Sequence, residues 1–210
     1  MKDRITEIRE LRSGFRVTMG DGQALFLRHK DQRAMALREG DTVDAEELKR
    51  NLLLEQYTDA LNRAVRLLAV RARSAFEIEK RLTDACYLED TVEMVLTKLQ
   101  SEGFVNDEAF AGQWVRERAT RQIGKARILY ELRLKGIDPA LAERAVLAMD
   151  PGVQDESAAK LAAKLLKRYR SLPEAEARRK ATLAMQRRGY SYAEAKRGLE
   201  GAAEDGDGNP

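Results

Sequence analysis

Cysteine, histidine and aromatic residues are scarce in this 210-residue chain, and each shortage removes a class of function. Cys86 is the only cysteine, so no disulfide can close within the chain and a reducing, cytoplasmic home is expected. His29 is the only histidine, so a Ser-His or Cys-His pair could use no other residue. It stands among charges beside a hairpin signal and reads as an ordinary surface side chain. Nowhere do cysteine and histidine cluster at the spacing of a zinc site. No Gly-x-x-x-x-Gly-Lys-Ser/Thr loop is present to cradle a nucleotide. No window approaches the roughly twenty apolar residues that span a bilayer, and the N-terminus carries no signal-peptide core. Paired carboxylates such as Glu46-Glu47 and Glu89-Asp90 open helices, where the helix dipole accounts for them. The chain therefore reads as non-enzymatic, with no cofactor, no metal and no membrane.

Charge is what it has instead. Charged residues make up 35% of the sequence, against roughly 25% in typical globular chains, and aromatics only 6%. The net charge of +3 hides an asymmetry: residues 151–200 carry twelve basic and six acidic side chains, whereas 1–56 and 57–150 are each balanced. A second concentration lies between 116 and 135, where seven bases (Arg116, Arg118, Arg121, Lys125, Arg127, Arg133, Lys135) face only Glu117 and Glu131. Such a stretch suits a phosphate backbone or an acidic protein surface, or is simply a solvated helix face.

A segment recurs three times. Arg81-Leu82-Thr83-Asp84-Ala85-Cys86-Tyr87, Glu131-Leu132-Arg133-Leu134-Lys135-Gly136-Ile137 and Ala184-Met185-Gln186-Arg187-Arg188-Gly189-Tyr190 each join an apolar helix stripe to a turn and a large residue. Tyr87, Ile137 and Tyr190 are 50 and 53 residues apart, the period of stacked helical units. Cys86 fills the slot of Gly136 and Gly189, so it reads as the small residue a tight helix end requires, not as a nucleophile.

Residues 1–50 differ in texture. Phe15, Val17 and Met19 alternate with polar neighbours, then come Gly20-Asp21-Gly22 and Leu25-Phe26-Leu27, a hairpin signal to which Ile5 and Ile8 add a leading strand. Met35 to Leu37 read as a helical turn, and Asp44 to Lys49 as a helix start. From there the period is 3.6: Tyr57, Ala60, Leu61, Ala64, Leu67 and Leu68 form one stripe, and Val92, Val95, Leu96 and Leu99 another. Capping boxes are expected at Ser74–Glu77, Ser171–Glu174 and Ser191–Glu194, N-caps at Asn106 and at Asp138 before Pro139. In the middle unit Phe110 and Trp114 share a face, Trp114 as core and not as a base-stacking platform. Ile128, Leu129 and Leu132 point inward from the helix 125–135, with Arg127, Tyr130 and Leu134 roughly opposite. The expected fold is mainly α: an elongated array of three tandem three-helix repeats (51–104, 105–150, 151–200) behind a small β-rich N-terminal module (1–50). A disordered acidic tail is expected over 201–210.

These residues resemble a known family. Gly103-Phe104-Val105-Asn106-Asp107-Glu108-Ala109-Phe110-Ala111, then Gly124-Lys125-Ala126-Arg127-Ile128 and Glu131-Leu132-x-x-Lys135-Gly136-Ile137, resemble the central pattern of the RecX family of recombinase regulators. Arg71-Ala72-Arg73-Ser74 with Glu77 and Leu82 is similar to that family's first repeat, and Arg187-Arg188-Gly189-Tyr190-Ser191-Tyr192 to its third. Ile5-Thr6-x-Ile8 and Leu37-Arg38-Glu39-Gly40-Asp41 are similar to the β-bearing extension of longer members, so the likeness runs from about residue 4 to 200. Cys86 replaces the usual glycine, Ile78 a common leucine and Asn106 a more usual aspartate; none of these touches a catalytic group, because the family has none.

The resemblance implies a monomeric, cytoplasmic regulator that binds the RecA recombinase and its nucleoprotein filament. It implies inhibition of filament growth, ATPase, coprotease and strand exchange, with single- or double-stranded DNA as a further partner. Charge and the match of the middle repeat point to Arg116, Arg121, Lys125, Arg127, Tyr130 and Lys135 as the partner surface, extended by Lys167, Arg168, Arg170, Arg187 and Arg188. The alternative is a sequence-tolerant DNA-binding protein made of helix-turn-helix-like units.

Overall fold

The structure, a computed structural model, describes residues 2–204. It contains ten α-helices and one four-stranded sheet among those residues, in two compact units, Met1–Asn106 and Asp107–Pro210.

The first unit opens with β1 (Lys2–Leu11), β2 (Gly14–Met19) and β3 (Ala24–Arg28), followed by α1 (His29–Met35), β4 (Thr42–Asp44), α2 (Ala45–Val70), α3 (Ala75–Thr83) and α4 (Glu89–Ser101). The sheet is antiparallel throughout, in the order β3-β2-β1-β4. Alternation places Ile5, Val17, Met19 and Leu27 on one buried face. The expected hairpin turn closes through the Gly22 N–H on the Met19 carbonyl (3.0 Å) and the Met19 N–H on the Gln23 carbonyl (2.8 Å).

Two readings of this unit need correction. The short helix lies at 29–35, not at 35–37, and Ala36 ends it in the left-handed region (φ 49°). Its start is pinned by Asp31, whose carboxylate accepts from the Arg28 backbone N–H (3.1 Å) and side-chain Nε (2.8 Å), an interaction no local periodicity encodes. The boundary read at 50/51 falls inside α2, which is a single helix of 26 residues capped by Asp44. Leu52, near its start, is buried with the sheet, whereas Ala60 and Ala64 are buried against α3 and α4. One helix thus gives its two ends to two cores.

The second unit holds α5 (Asp107–Thr120), α6 (Lys125–Leu134), α7 (Pro139–Leu147), α8 (Pro151–Arg168), α9 (Glu174–Arg187) and α10 (Tyr192–Glu204). Phe110, Val115, Ile128, Leu132, Ile137 and Val146 fill the core of α5–α7. Leu161, Leu165, Ala181, Met185, Tyr190 and Leu199 fill that of α8–α10. Burying each of the larger side chains contributes about 1.5–3 kcal/mol.

The recurring turn has one geometry in all three places. Cys86, Gly136 and Gly189 have φ of 59°, 71° and 90°. The N–H of the following residue reaches back to the helix: Tyr87 to the Leu82 carbonyl (3.3 Å), Ile137 to Leu132 (3.1 Å) and Tyr190 to Met185 (3.2 Å). This is the paired hydrogen bonding of a left-handed C-terminal cap, and it drops the large residue into the core.

The expected cap at Ser171 is not formed. The N-cap of α9 is Pro173 and no side chain caps it, because a residue preceding proline is disfavoured from helical geometry and Leu172 cannot begin the helix. At Ser191 the box is complete: the Ser191 N–H donates to Glu194 (2.7 Å) and the Glu194 N–H to Ser191 Oγ (3.2 Å). Of the tail expected over 201–210, residues 201–204 continue α10, and the rest lies outside the described residues.

Candidate partner-binding surface

The surface is built on the junction between α6 and the turn that follows α9. The Gly124 N–H donates to the Arg188 carbonyl (2.9 Å) and the Ala126 N–H to the Gly189 carbonyl (3.1 Å). Only glycine lets the two backbones approach this closely. A Cβ on Gly124 would lie 2.2 Å from the Gly189 carbonyl carbon, and one on Gly189 would lie 2.4 Å from the Arg127 nitrogen. A buried bond set continues the junction: Ser157 Oγ donates to the Ala119 carbonyl (3.0 Å) and so accepts from the Tyr190 hydroxyl (2.9 Å). The first turn of α6 is thereby fixed against the last turn of α9. Four expected residues, Lys125, Arg127, Arg187 and Arg188, meet there although about sixty residues separate them in the chain.

The outward face of α6 carries exposed apolar groups beside this charge. Tyr130 is 47% exposed and Leu134 60%. The Arg127 guanidinium lies 5.1 Å from the Tyr130 ring centre, and its Nε donates to Glu131 (3.2 Å). Glu131 is a hub. It also accepts from Arg118 Nε (2.6 Å) and from Trp114 Nε1 (3.2 Å). Trp114 stacks on Phe110 at 5.7 Å and holds the Arg118 and Lys135 cations at 4.0 and 5.1 Å from its ring. Its face is thus occupied from within the fold.

The remaining expected residues are dispersed. Arg121 pairs with Glu117 at 2.8 Å, both well exposed. Arg116 lines a cleft of about 700 Å³ between α5, α7 and the start of α8. Lys167 and Arg168 end α8 and Arg170 lies just beyond; no hydrogen bond or ion pair joins them to α6 among the described residues. Arg118 and Glu131 stand out in the sequence only as charges of the 116–135 stretch and not as members of the surface, although each lies one helical turn from Trp114 or Arg127.

A further basic cluster, in the first unit, escaped the sequence reading altogether. Arg28 is 7% exposed and is held by Asp31, Asp59 and, through its ring face, Tyr87 (4.7 Å). Burial is the largest single influence and opposes its charge, but Asp31 and Tyr87 together hold the guanidinium more basic than usual. Gln56 completes the lattice, donating to Asp31 (2.7 Å) and accepting from the Leu88 N–H (2.9 Å). Bases spread from 12 to 81 converge over it, hidden in a segment whose charges balance.

Among the described residues no helix is long and apolar enough to cross a membrane, and no group of three or more His, Cys, Asp or Glu could hold a metal ion. Comparison with known proteins matches three family models. They are the first three-helix domain of RecX (residues 60–99), the second (106–146) and the third (153–199). The chain is 37% identical over 137 residues to the regulatory protein RecX of Mycolicibacterium smegmatis, covering 63% of this chain and 73% of that one. It is 35% identical over 137 residues to that of Amycolatopsis mediterranei, covering 65% and 78%. Among solved structures it is similar to a regulatory protein RecX, with TM-score 0.64, 27% identity and coverage of 92% and 97%. It is also similar to RecX from Lactobacillus salivarius, with TM-score 0.67, 25% identity and coverage of 72% and 99%.

Proposed function

The chain belongs to the RecX family, and from that premise we propose that it is a non-catalytic, cytoplasmic regulator that acts on RecA as a monomer. It binds RecA and its nucleoprotein filament and restrains filament growth, ATP hydrolysis, coprotease activity and strand exchange. The observation that carries the reading is the junction of α6 with the α9 turn, which gathers Lys125, Arg127, Arg187 and Arg188 beside the exposed Tyr130 and Leu134. Cations mixed with exposed aromatic and aliphatic groups form the kind of patch that anchors protein interfaces, with arginine and tyrosine as the usual energetic centres. Arg116, Arg121 and Lys135 flank it on the same three-helix set, and Lys167, Arg168 and Arg170 extend the basic area. Several weak contacts spread over helical units raise avidity without any deep pocket. Any effect on RecA's ATPase is indirect, since this chain supplies no hydrolytic group.

The test is RecA's strand-dependent ATP hydrolysis as the protein is titrated in at fixed salt. A fall at substoichiometric amounts supports capping or disassembly of filaments, and a fall near stoichiometric coverage supports binding along them. The double variant K125E/R127E should lose most of the effect while keeping its helical circular dichroism. Undiminished inhibition by that variant would remove the junction from the site. No effect of the parent on RecA, with tight binding to bare DNA, would replace the proposal with a direct DNA-binding role.

A further inference from the structure

We infer that the first unit carries a separate binding cleft for the phosphate backbone of a single nucleic-acid strand. The cleft measures about 1000 Å³ and is walled by the β1–β2 turn, α1, α2 and the end of α3. Its floor is the buried Arg28, clamped by Asp31. Around the rim stand Arg12, Lys30, Arg33, Arg63 and Arg81, opposed only by Asp59 and Asp84. Asp59 is already taken up by Arg28 and Lys30, and Lys30 keeps that carboxyl below its usual range. Arg12, Arg33, Arg63 and Arg81 make no ion pair among the described residues, and all four are exposed. Unpaired guanidinium groups facing one concavity repel each other, and the concavity focuses their positive potential. An anion relieves that repulsion, and the planar guanidinium fork matches phosphate oxygens with two hydrogen bonds at once.

The lining also selects which phosphate compound fits. The Tyr87 ring is buried beneath Arg28, and the His29 ring packs nearly perpendicular to Phe15 with centroids 5.2 Å apart. An apolar hollow lined by Leu11, Phe26 and Cys86 adjoins the cleft and shares Arg12 and Tyr87 with it, but the rim of the cleft itself is made by five basic side chains. What remains is repeated contact with charge along a chain, the sequence-independent mode of strand binding. A cleft between four elements admits one strand, whereas a duplex needs an open face.

This inference does not depend on RecA, and its test leaves RecA out. Fluorescence anisotropy of a labelled oligodeoxythymidylate is followed against salt for the full chain and for R12A/R63A/R81A. The three arginine heads are exposed and outside the Arg28 network, so the variant keeps the fold; Arg63→Ala alone serves as a milder probe. The triple variant should flatten the slope of log affinity against log salt by about 2, at roughly 0.7 per phosphate contact on a single strand. The single variant should flatten it by about a third of that. An unchanged slope in the triple variant would overturn the inference. So would displacement by polyglutamate at equal charge, or by duplex, as effective as displacement by unlabelled single strand.

Discussion

The Gly124 amide and the Arg188 carbonyl are joined by a 2.9 Å hydrogen bond that docks the second three-helix set onto the third. A methyl group at Gly124 would have to occupy space 2.2–2.3 Å from the Gly189 and Tyr190 backbone, where no flexible side chain can yield. Gly124→Ala is therefore expected to cost about 1–3 kcal/mol in urea titration, the range of forced overpacking. It should also weaken any partner that needs Lys125 and Arg188 together. A variant of parental stability would show that the two backbones can separate at no cost.

Glu131 accepts from Trp114, Arg118 and Arg127 at once. Glu131→Ala leaves a half-buried indole N–H and two guanidinium groups without this acceptor, and a loss of about 2 kcal/mol is expected. Trp114 is the only tryptophan, so its fluorescence reports the change directly. Emission should move to the red as water reaches the indole. Unshifted emission and unchanged stability would mean that the hub is replaceable.

Much of this architecture was legible because it is local. The three left-handed turns were visible through one shared slot, even with cysteine in it, since a single φ requirement acts on a single residue. Helix stripes and the Ser191 cap follow equally from near neighbours. The parts that were not legible are made by distant partners. Arg28 carries no signal of its own in the sequence, because its clamp by Asp31 is completed by Asp59 and Gln56 from far along the chain. In the same way the candidate surface was read as a list of bases, and only the Gly124–Gly189 approach decides which of them stand together. Ser171 shows the converse case, where a sound local signal is overruled by the proline two residues on.

Tyr190 makes stability depend on alkaline pH. Burial pushes its hydroxyl up from the ordinary value, partly opposed by the hydrogen bond with Ser157. A group whose folded pKa exceeds its unfolded value, about 10 for tyrosine, contributes fully below about pH 10. That contribution disappears as the pH climbs through the folded value. Tyr87 acts in the same direction, raised by burial against the pull of Arg28. Urea titrations at about pH 8 and pH 11 should show a drop for the parent. Tyr190→Phe should lose about 1 kcal/mol at the lower pH and fall less at the higher one. An equally steep fall in the variant would assign the alkaline loss elsewhere.

The Cys86 thiol is 7% exposed, and burial, reinforced by Asp84, pushes its pKa up. The thiolate is the reactive species, so a disulfide reagent near neutral pH should modify Cys86 at least about ten-fold faster in urea than in the native protein. Comparable rates would mean that the turn at 84–87 opens readily.

Arg121 and Glu117 lie one helical turn apart at 2.8 Å with both heads largely in solvent. Such a pair contributes about 0.3–0.5 kcal/mol, because water screens it and ordering two long side chains opposes it. Arg121→Ala should therefore melt within error of the parent, and the near-neutrality is what makes it informative. If its effect on RecA's ATPase is also unchanged, Arg121 is a solvated face and the partner surface contracts to the α6–α9 junction. If inhibition weakens at constant stability, the loss cannot be attributed to folding, and the surface reaches along α5 as far as Arg121.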